Sequence, residues 1–268
     1  MNPPTTTPSP ASSPARIAPN QLHAFGGIWR LTFRRFLLPG HWLMLGIALA
    51  VLALLLYAGG VHGGSPEWFI QWTATFYLAF LVPALAFMAA AGAMRDEMKS
   101  GTVDYVLTRP VPRPAFVVFK FFAHTVCTQI DFLFAFGVVA GFAALAHDVP
   151  FLASAAPKLL LCQILLVTAF SGLGFLCGAI TSRYVIIGLA YAGIIEAGVG
   201  QIPTQINRLS MTHQVRDLLR PLWDHSAELT AAPGWFGTAA TLLAFCALTL
   251  AAAAAIFTWR ELSGPADA

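Results

Sequence analysis

A chain of 268 residues that is 57% hydrophobic and only 10% charged, with a mean hydropathy of +0.71, is too apolar for a soluble domain, in which about a quarter of residues are ordinarily charged. It reads as an integral membrane protein, and one helical bundle consumes nearly all of its length. The net charge of +3 is scattered, with no basic stripe outside the loops, which argues against a nucleic-acid partner.

Residues 1–20 are rich in Pro, Thr, Ser and Ala and lack the apolar core of a signal peptide, so they read as a disordered tail. From residue 21 to residue 268 a single transmembrane domain is expected. It opens with an amphipathic helix at 21–38. There Leu22, Phe25, Ile28, Trp29, Phe33, Phe36 and Leu37 recur every three to four residues, with Arg30, Arg34 and Arg35 between them, as in a helix lying at the membrane surface. Pro39-Gly40 then turns the chain into the bilayer.

A spanning helix needs about 20 mostly apolar residues, which places six spans at about 41–60, 68–93, 114–146, 158–180, 184–202 and 234–258. The fold class is therefore all-α, a polytopic membrane protein of six transmembrane helices. Pro83 is expected to kink the second span. The third is long enough to project from the membrane, which suits Lys120 near its start, as does snorkelling. Residues 203–233 mix Ile206, Leu209, Val215, Leu218, Leu219, Leu222 and Trp223 with Asn207, Arg208, His213, Arg216, Asp217 and Arg220. That pattern predicts one or two amphipathic helices at, or dipping into, the outer face. With both termini cytoplasmic, 11 Lys and Arg residues fall inside and 4 outside, as the positive-inside rule requires. Trp29, Trp42, Trp68, Trp72, Trp223, Trp235 and Trp259 cluster at the predicted span ends, the usual interfacial belt.

The most charged stretch, 94–120, joins the second and third spans and belongs on the cytoplasmic side. It carries Arg95, Asp96, Glu97, Lys99, Asp104, Arg109, Arg113 and Lys120. Gly101 stops the preceding helix, and Thr102 can cap a new one with Asp104 in its first turn. Val103, Val106 and Leu107 share one face of that helix. Pro110 ends it, and Pro114 starts the next. The expected product is a short amphipathic helix across the mouth of two spans.

The order Glu97, Gly101-Thr102, Leu107, Thr108-Arg109-Pro110, Arg113 and Lys120 resembles the segment after the second span of type-2 ABC exporter permeases. In layout the resemblance covers nearly the whole chain after residue 20; in motif it covers this loop. It implies that the loop is a cytoplasmic coupling helix touching a separate ABC ATPase subunit. Glu97, Gly101, Thr102, Arg109, Pro110 and Arg113 would carry the coupling, with Val103, Val106 and Leu107 as the gripped apolar face. No Gly-x-x-x-x-Gly-Lys-Ser/Thr loop occurs in the chain, so ATP and Mg would be bound by that partner, and no cofactor or enzymatic activity is expected here. Six spans make half of a transport path, so a second copy or a related permease is expected alongside membrane lipids. The resemblance also implies a bacterial inner membrane. The other readings are a non-transporting scaffold or assembly factor, and an ion-coupled carrier.

Ionisable groups inside spans are costly in lipid, which singles out Asp131 in the third span and Glu196 in the fifth. Either they line a path or contact a second subunit, or each is paired with a neighbouring helix and fixes packing. Asp131 lies two helical turns from His124, so those two can align. Cys127, Cys162, Cys177 and Cys246 all sit in apolar runs with no CxxC pair, and no His-Glu-x-x-His motif or Met-x-x-Met cluster suggests a metal. Ser171 stands in Phe-Ser-Gly-Leu-Gly, which lacks the first glycine of a nucleophile elbow. Ser171, Gly172 and Gly174 read instead as small residues that let helices approach closely.

Overall fold

The structure, a computed structural model, describes residues 21–59, 64–98, 112–146, 149–201, 205–223 and 234–259. Among the described residues every regular element is a helix. The protein is all-α, with five helices among the described residues long and apolar enough to cross a membrane.

Helix α1 (Gln21–Phe36) lies along α4 (Arg113–Ala146), where the Phe25 and Phe119 rings meet edge-on at 5.3 Å. Thr32 and Phe36 face inward, while Arg30, Arg34 and Arg35 are exposed, as the amphipathic pattern predicts. Helix α2 (Pro39–Ala58) starts at a proline, where the missing N–H would be unpaired in any case. Leu38 before it is extended (φ −64°, ψ 139°), as the residue preceding proline tends to be.

Helix α3 (Pro66–Met98) has a full start signal: Ser65 Oγ accepts from the Trp68 N–H at 3.3 Å, with Pro66 and Glu67 in the first turn. Its ladder widens to π spacing over Thr73–Leu81. Pro83 follows at once; it has no N–H, and its ring crowds the carbonyl one turn back. The irregularity expected at Pro83 is thus taken up in the preceding turns. The 34 residues of α4 rise about 51 Å, more than the roughly 30 Å of a bilayer's hydrocarbon.

Helix α5 (Val149–Ile180) begins earlier than the expected 158 and continues through Pro157, where the missing N–H removes a single ladder bond. The expected fifth span is a shorter apolar helix, α6 (Tyr184–Gly198). Fifteen residues rise about 22 Å, less than the hydrocarbon thickness. It leaves α geometry at Ala192 for a π turn and then a 3₁₀ turn, Val199–Gln201. The predicted amphipathic segment contains a 3₁₀ turn (Gln205–Leu209), helix α7 (Met211–Leu219) and a second 3₁₀ turn (Arg220–Leu222). Helix α8 (Trp235–Trp259) closes the bundle.

Helix α5 is the centre. Of its most apolar stretch 72% is buried, against 11% for α2. Small residues bring its neighbours close. A methyl group on Gly174 would lie 2.6 Å from the Phe87 carbonyl oxygen, and one on Gly178 would lie 2.5 Å from that of Ala91. Both contacts are with α3. On the other face a methyl on Gly172 would meet Thr249 Oγ1 of α8 at 2.7 Å. Ser171 beside them is fully buried, and its hydroxyl has no partner among the described residues. All four cysteines are buried free thiols.

Polar bonds fix the register of these helices. Tyr77 Oη of α3 donates to Gln163 Oε1 of α5 at 2.6 Å, and Gln163 Nε2 donates to the Phe132 carbonyl of α4 at 3.0 Å. Gln129 Nε2 of α4 donates to the Ile164 carbonyl of α5 at 2.9 Å.

Gly174→Leu and Gly178→Leu should each destabilise the bundle by at least the 1–3 kcal/mol (roughly) of an overpacked core. Thermal melting of the purified chain in detergent should show a lower Tm for both. Gly137→Leu, at a position with open space around it, should melt like the parent. Equal Tm for all four proteins would refute the close α3–α5 approach.

Candidate functional site

Two charged junctions stand apart in the bundle. The first is built on Glu97, in the last turn of α3, whose side chain is 4% exposed. Lys120 Nζ of α4 donates to Glu97 Oε1 at 2.8 Å and is equally buried. Arg35 of α1, largely exposed, brings a guanidinium nitrogen to 3.5 Å from the same oxygen. Three helices therefore meet on one carboxylate, at the foot of the connection from α3 to α4. Arg113, the first residue of α4, reaches across to the Thr258 carbonyl at 3.4 Å. That places a cation at the C-terminal end of α8, where the helix dipole favours it.

Of the residues assigned to coupling by resemblance, Glu97 and Arg113 are described. Glu97 faces the interior of the bundle, and Arg113 faces α8. Gly101, Thr102, Val103, Val106, Leu107, Arg109 and Pro110 lie outside the described residues. Lys120, expected to project or snorkel, is 3% exposed and turned inward to Glu97. The sequence reading missed it as a partner, together with Arg35.

The second junction is built on Glu196 in the π turn of α6. Its Oε1 accepts from Tyr191 Oη at 3.0 Å and the Met211 N–H at 3.2 Å. Its Oε2 accepts from Ser210 Oγ at 2.5 Å, Thr212 Oγ1 at 2.5 Å and the Thr212 N–H at 3.1 Å. Ser210 also caps α7, its Oγ accepting from the His213 N–H at 3.1 Å. A carboxylate at a helix N-terminus is favoured by the unpaired N–H groups and the dipole. Glu196 thus ties α6 to the start of α7.

Asp131 is paired as well, but not with the histidine its spacing offered. Its Oδ1 lies 3.0 Å from Nε2 of His41, in the first turn of α2, with both side chains partly exposed. His124 instead meets Thr128 Oγ1 at 3.3 Å. Asp131 and Glu196 stand on separate helices with separate partners. Among the described residues no group of acidic, histidine and cysteine side chains is arranged to hold a metal.

Beside Glu196 lies a cavity of about 450 Å³ between α3, α5, α6 and α7. Its wall is apolar, with Phe80, Phe87, Met88, Phe170, Leu173 and Leu189; its roof carries Glu196, Thr212, His213 and Arg216. Gly188 of α6 also lines it, packed so tightly on the Phe87 ring that a methyl group would overlap it.

An all-helical membrane bundle with paired intramembrane charges is compatible with many transport folds. The model of one family, described as ABC-2 family transporter protein, matches residues 39–195. That is more than half of the chain, running from the start of α2 into α6. The chain belongs to the ABC-2 transporter permease family. Among curated proteins none matches it. It is an integral membrane protein and the permease component of an ABC transporter, not itself an enzyme. The matched stretch of this ABC-2 permease includes Glu97, Lys120, His41 and Asp131, and ends one residue before Glu196.

Breaking a buried ion pair by removing one partner leaves an uncompensated charge, at a cost of about 3–5 kcal/mol. Lys120→Met should therefore lower the thermal stability of the ABC-2 permease sharply, with Arg35 offsetting only part of the loss. Adding Glu97→Gln to Lys120→Met should recover much of the Tm. A double variant no more stable than Lys120→Met alone would show that the two side chains are not energetically coupled.

Proposed function

We propose that this ABC-2 permease couples ATP hydrolysis, carried out by a separate ATPase subunit that binds ATP and Mg, to export of a substrate across a bacterial inner membrane, working as a pair of permease copies with termini in the cytoplasm. Family membership supports the permease role. The observation that carries the coupling is the buried Glu97–Lys120 pair. It clamps α3 to α4 at the two feet of the 99–111 connection, and Arg35 brings α1 onto the same oxygen. A loop that entered the bundle through two independent helices could move without moving either. A loop whose feet are locked together moves both.

The mechanism follows. The ATPase subunits close on ATP and shift the segment 101–109, held through Val103, Val106 and Leu107 and through Arg109. The locked feet convert that shift into a tilt of α3 and α4 together. ATP changes the equilibrium between inward and outward arrangements only by its difference in affinity for the two. Glu97 and Arg113 act as fasteners of the lever, and the residues from Gly101 to Pro110 form the surface that is gripped.

Gly101→Pro and Arg109→Glu should each lower transport-stimulated ATP turnover at least tenfold, about 1.4 kcal/mol of coupling, without changing the amount of permease inserted. Purification from native membranes into nanodiscs should recover a soluble ATPase in stoichiometric amount with the parent chain and less with Arg109→Glu. Recovery of the permease alone, even after crosslinking through Lys99, would favour a scaffold. Flux that persists without ATP and follows an ion gradient would favour a carrier.

A further inference from the structure

The cavity beside Glu196 has chemistry of its own. Its volume falls within the range of about 300–1,000 Å³ usual for sites of small organic ligands. The wall is carbon, and several of its residues, Phe80, Met88, Val185 and Leu189, are also exposed on the flank of the bundle. The cavity therefore opens sideways, between α3 and α6, toward the hydrocarbon of the bilayer. A molecule that enters this way must present an apolar surface.

The roof sets the other end of the ligand. Two carboxylates are near it, and both are engaged. Glu196 accepts five hydrogen bonds within the protein, and Asp217 lies 3.0 Å from Nε2 of His213. Arg216 differs. It lines the cavity, and its guanidinium has no hydrogen-bond or ion-pair partner among the described residues. Among the described residues nothing takes up its five N–H donors and positive charge, at the polar end of an apolar slot. Guanidinium donors match the oxygens of phosphate and carboxylate two at a time.

We propose that this cavity binds a single-tailed amphiphile with an anionic headgroup. The tail lies against Phe80, Phe87, Met88 and Leu189, and the head sits on Arg216. That the bound molecule is cargo rests on the transport function proposed above; that it binds does not. α6 and α7, joined through Glu196, close one side of the slot and hold Arg216 over its end.

The test uses the purified full chain in phosphatidylcholine nanodiscs with a diazirine-bearing hexadecyl phosphate. After illumination, crosslinked peptides are identified by mass spectrometry. Labelling should concentrate on 79–88 and 185–197 and be competed by unlabelled hexadecyl phosphate. Hexadecanol and inorganic phosphate, the tail and the head alone, should compete at least tenfold less well. Arg216→Gln should cut labelling about tenfold, as expected for one charge-assisted contact, and Arg216→Lys should keep most of it. Ala84→Phe, which fills the slot from α3, should abolish it. Labelling spread equally over the exposed face of α2, or unchanged in Arg216→Gln, would overturn the site. Inorganic phosphate competing as well as the amphiphile would overturn the ligand class in favour of a free anion. ATP turnover is read separately, on the permease with its ATPase subunit bound: its failure to respond to hexadecyl phosphate with labelling intact would sink the cargo role and leave the site standing.

Discussion

The bundle depends on how near α3 comes to α5. In a membrane no hydrophobic force presses one apolar helix against another, because lipid tails are as apolar as leucine. Helices must be held by close packing and by polar bonds, and packing forces are short-ranged. Gly174 and Gly178 remove the side chains that would keep the backbones apart, so Phe87 and Ala91 of α3 seat directly on α5. Gly172 does the same for α8. With α5 enclosed on these faces, the hydrogen bonds from Tyr77 to Gln163 and from Gln163 to the Phe132 carbonyl can close. A helix separation wider by one methyl group would stretch the 2.6 Å bond beyond useful length.

Charge is placed by the same economy of space. The polar contacts in the middle of the bundle are neutral, such as Tyr77 with Gln163 and Gln129 with a carbonyl. The fully desolvated charge, Glu97, stands in the last turn of α3 and has a cation against it. Glu196 stands where a helix begins and collects three hydroxyls and two backbone donors. A neutral hydrogen bond contributes about 1 kcal/mol and leaves little behind when broken, whereas a stranded ion costs several times more. Neutral bonds thus set register where helices pack, and ions fasten the places where the chain leaves or re-enters the bundle. The His41–Asp131 contact is intermediate: it is a pair of ionisable groups, and it is partly exposed.

Much of this was legible in the sequence because it follows from periodicity. Five long apolar helices, the amphipathic helix α1, the amphipathic segment around α7 and the role of the glycines around 172–174 are written in local composition. What was not legible depends on which helices become neighbours. Asp131 has His124 two turns away on its own helix, and spacing favours that pair; the partner is His41, 90 residues distant in the chain. Lys120 looked like a projecting or snorkelling lysine because its surroundings are apolar. That setting also demands an acid, and Glu97 lies just across the connection. Arg216 looked like one more polar residue on an amphipathic helix; the cavity beneath it is what sets it apart. The length of α6 escaped because hydropathy continues past Gly198 while α geometry stops at Ala192, where Glu196 is drawn to the start of α7.

Among the described residues α3 alone contributes side chains to both the Glu97 junction and the cavity. From Phe87 to Glu97 it is regular α-helix, about 15 Å long, and its contact with Gly174 and Gly178 makes it one body with α5. Above Leu81 the ladder is π, and there the helix has a different stiffness. The cavity is therefore bounded by two assemblies. α3 and α5 are joined backbone to backbone through glycine; α6 and α7 are joined through Glu196. Between them Gly188 packs on the Phe87 ring, a side chain that can rotate, and α7 packs on the π segment of α3. A displacement entering at Glu97 is carried along α3 to Phe87 and meets the α6–α7 assembly both there and where α7 packs on the π segment of α3. The slot between the assemblies is then a part of the bundle whose shape can respond, and it carries an arginine that has no partner among the described residues.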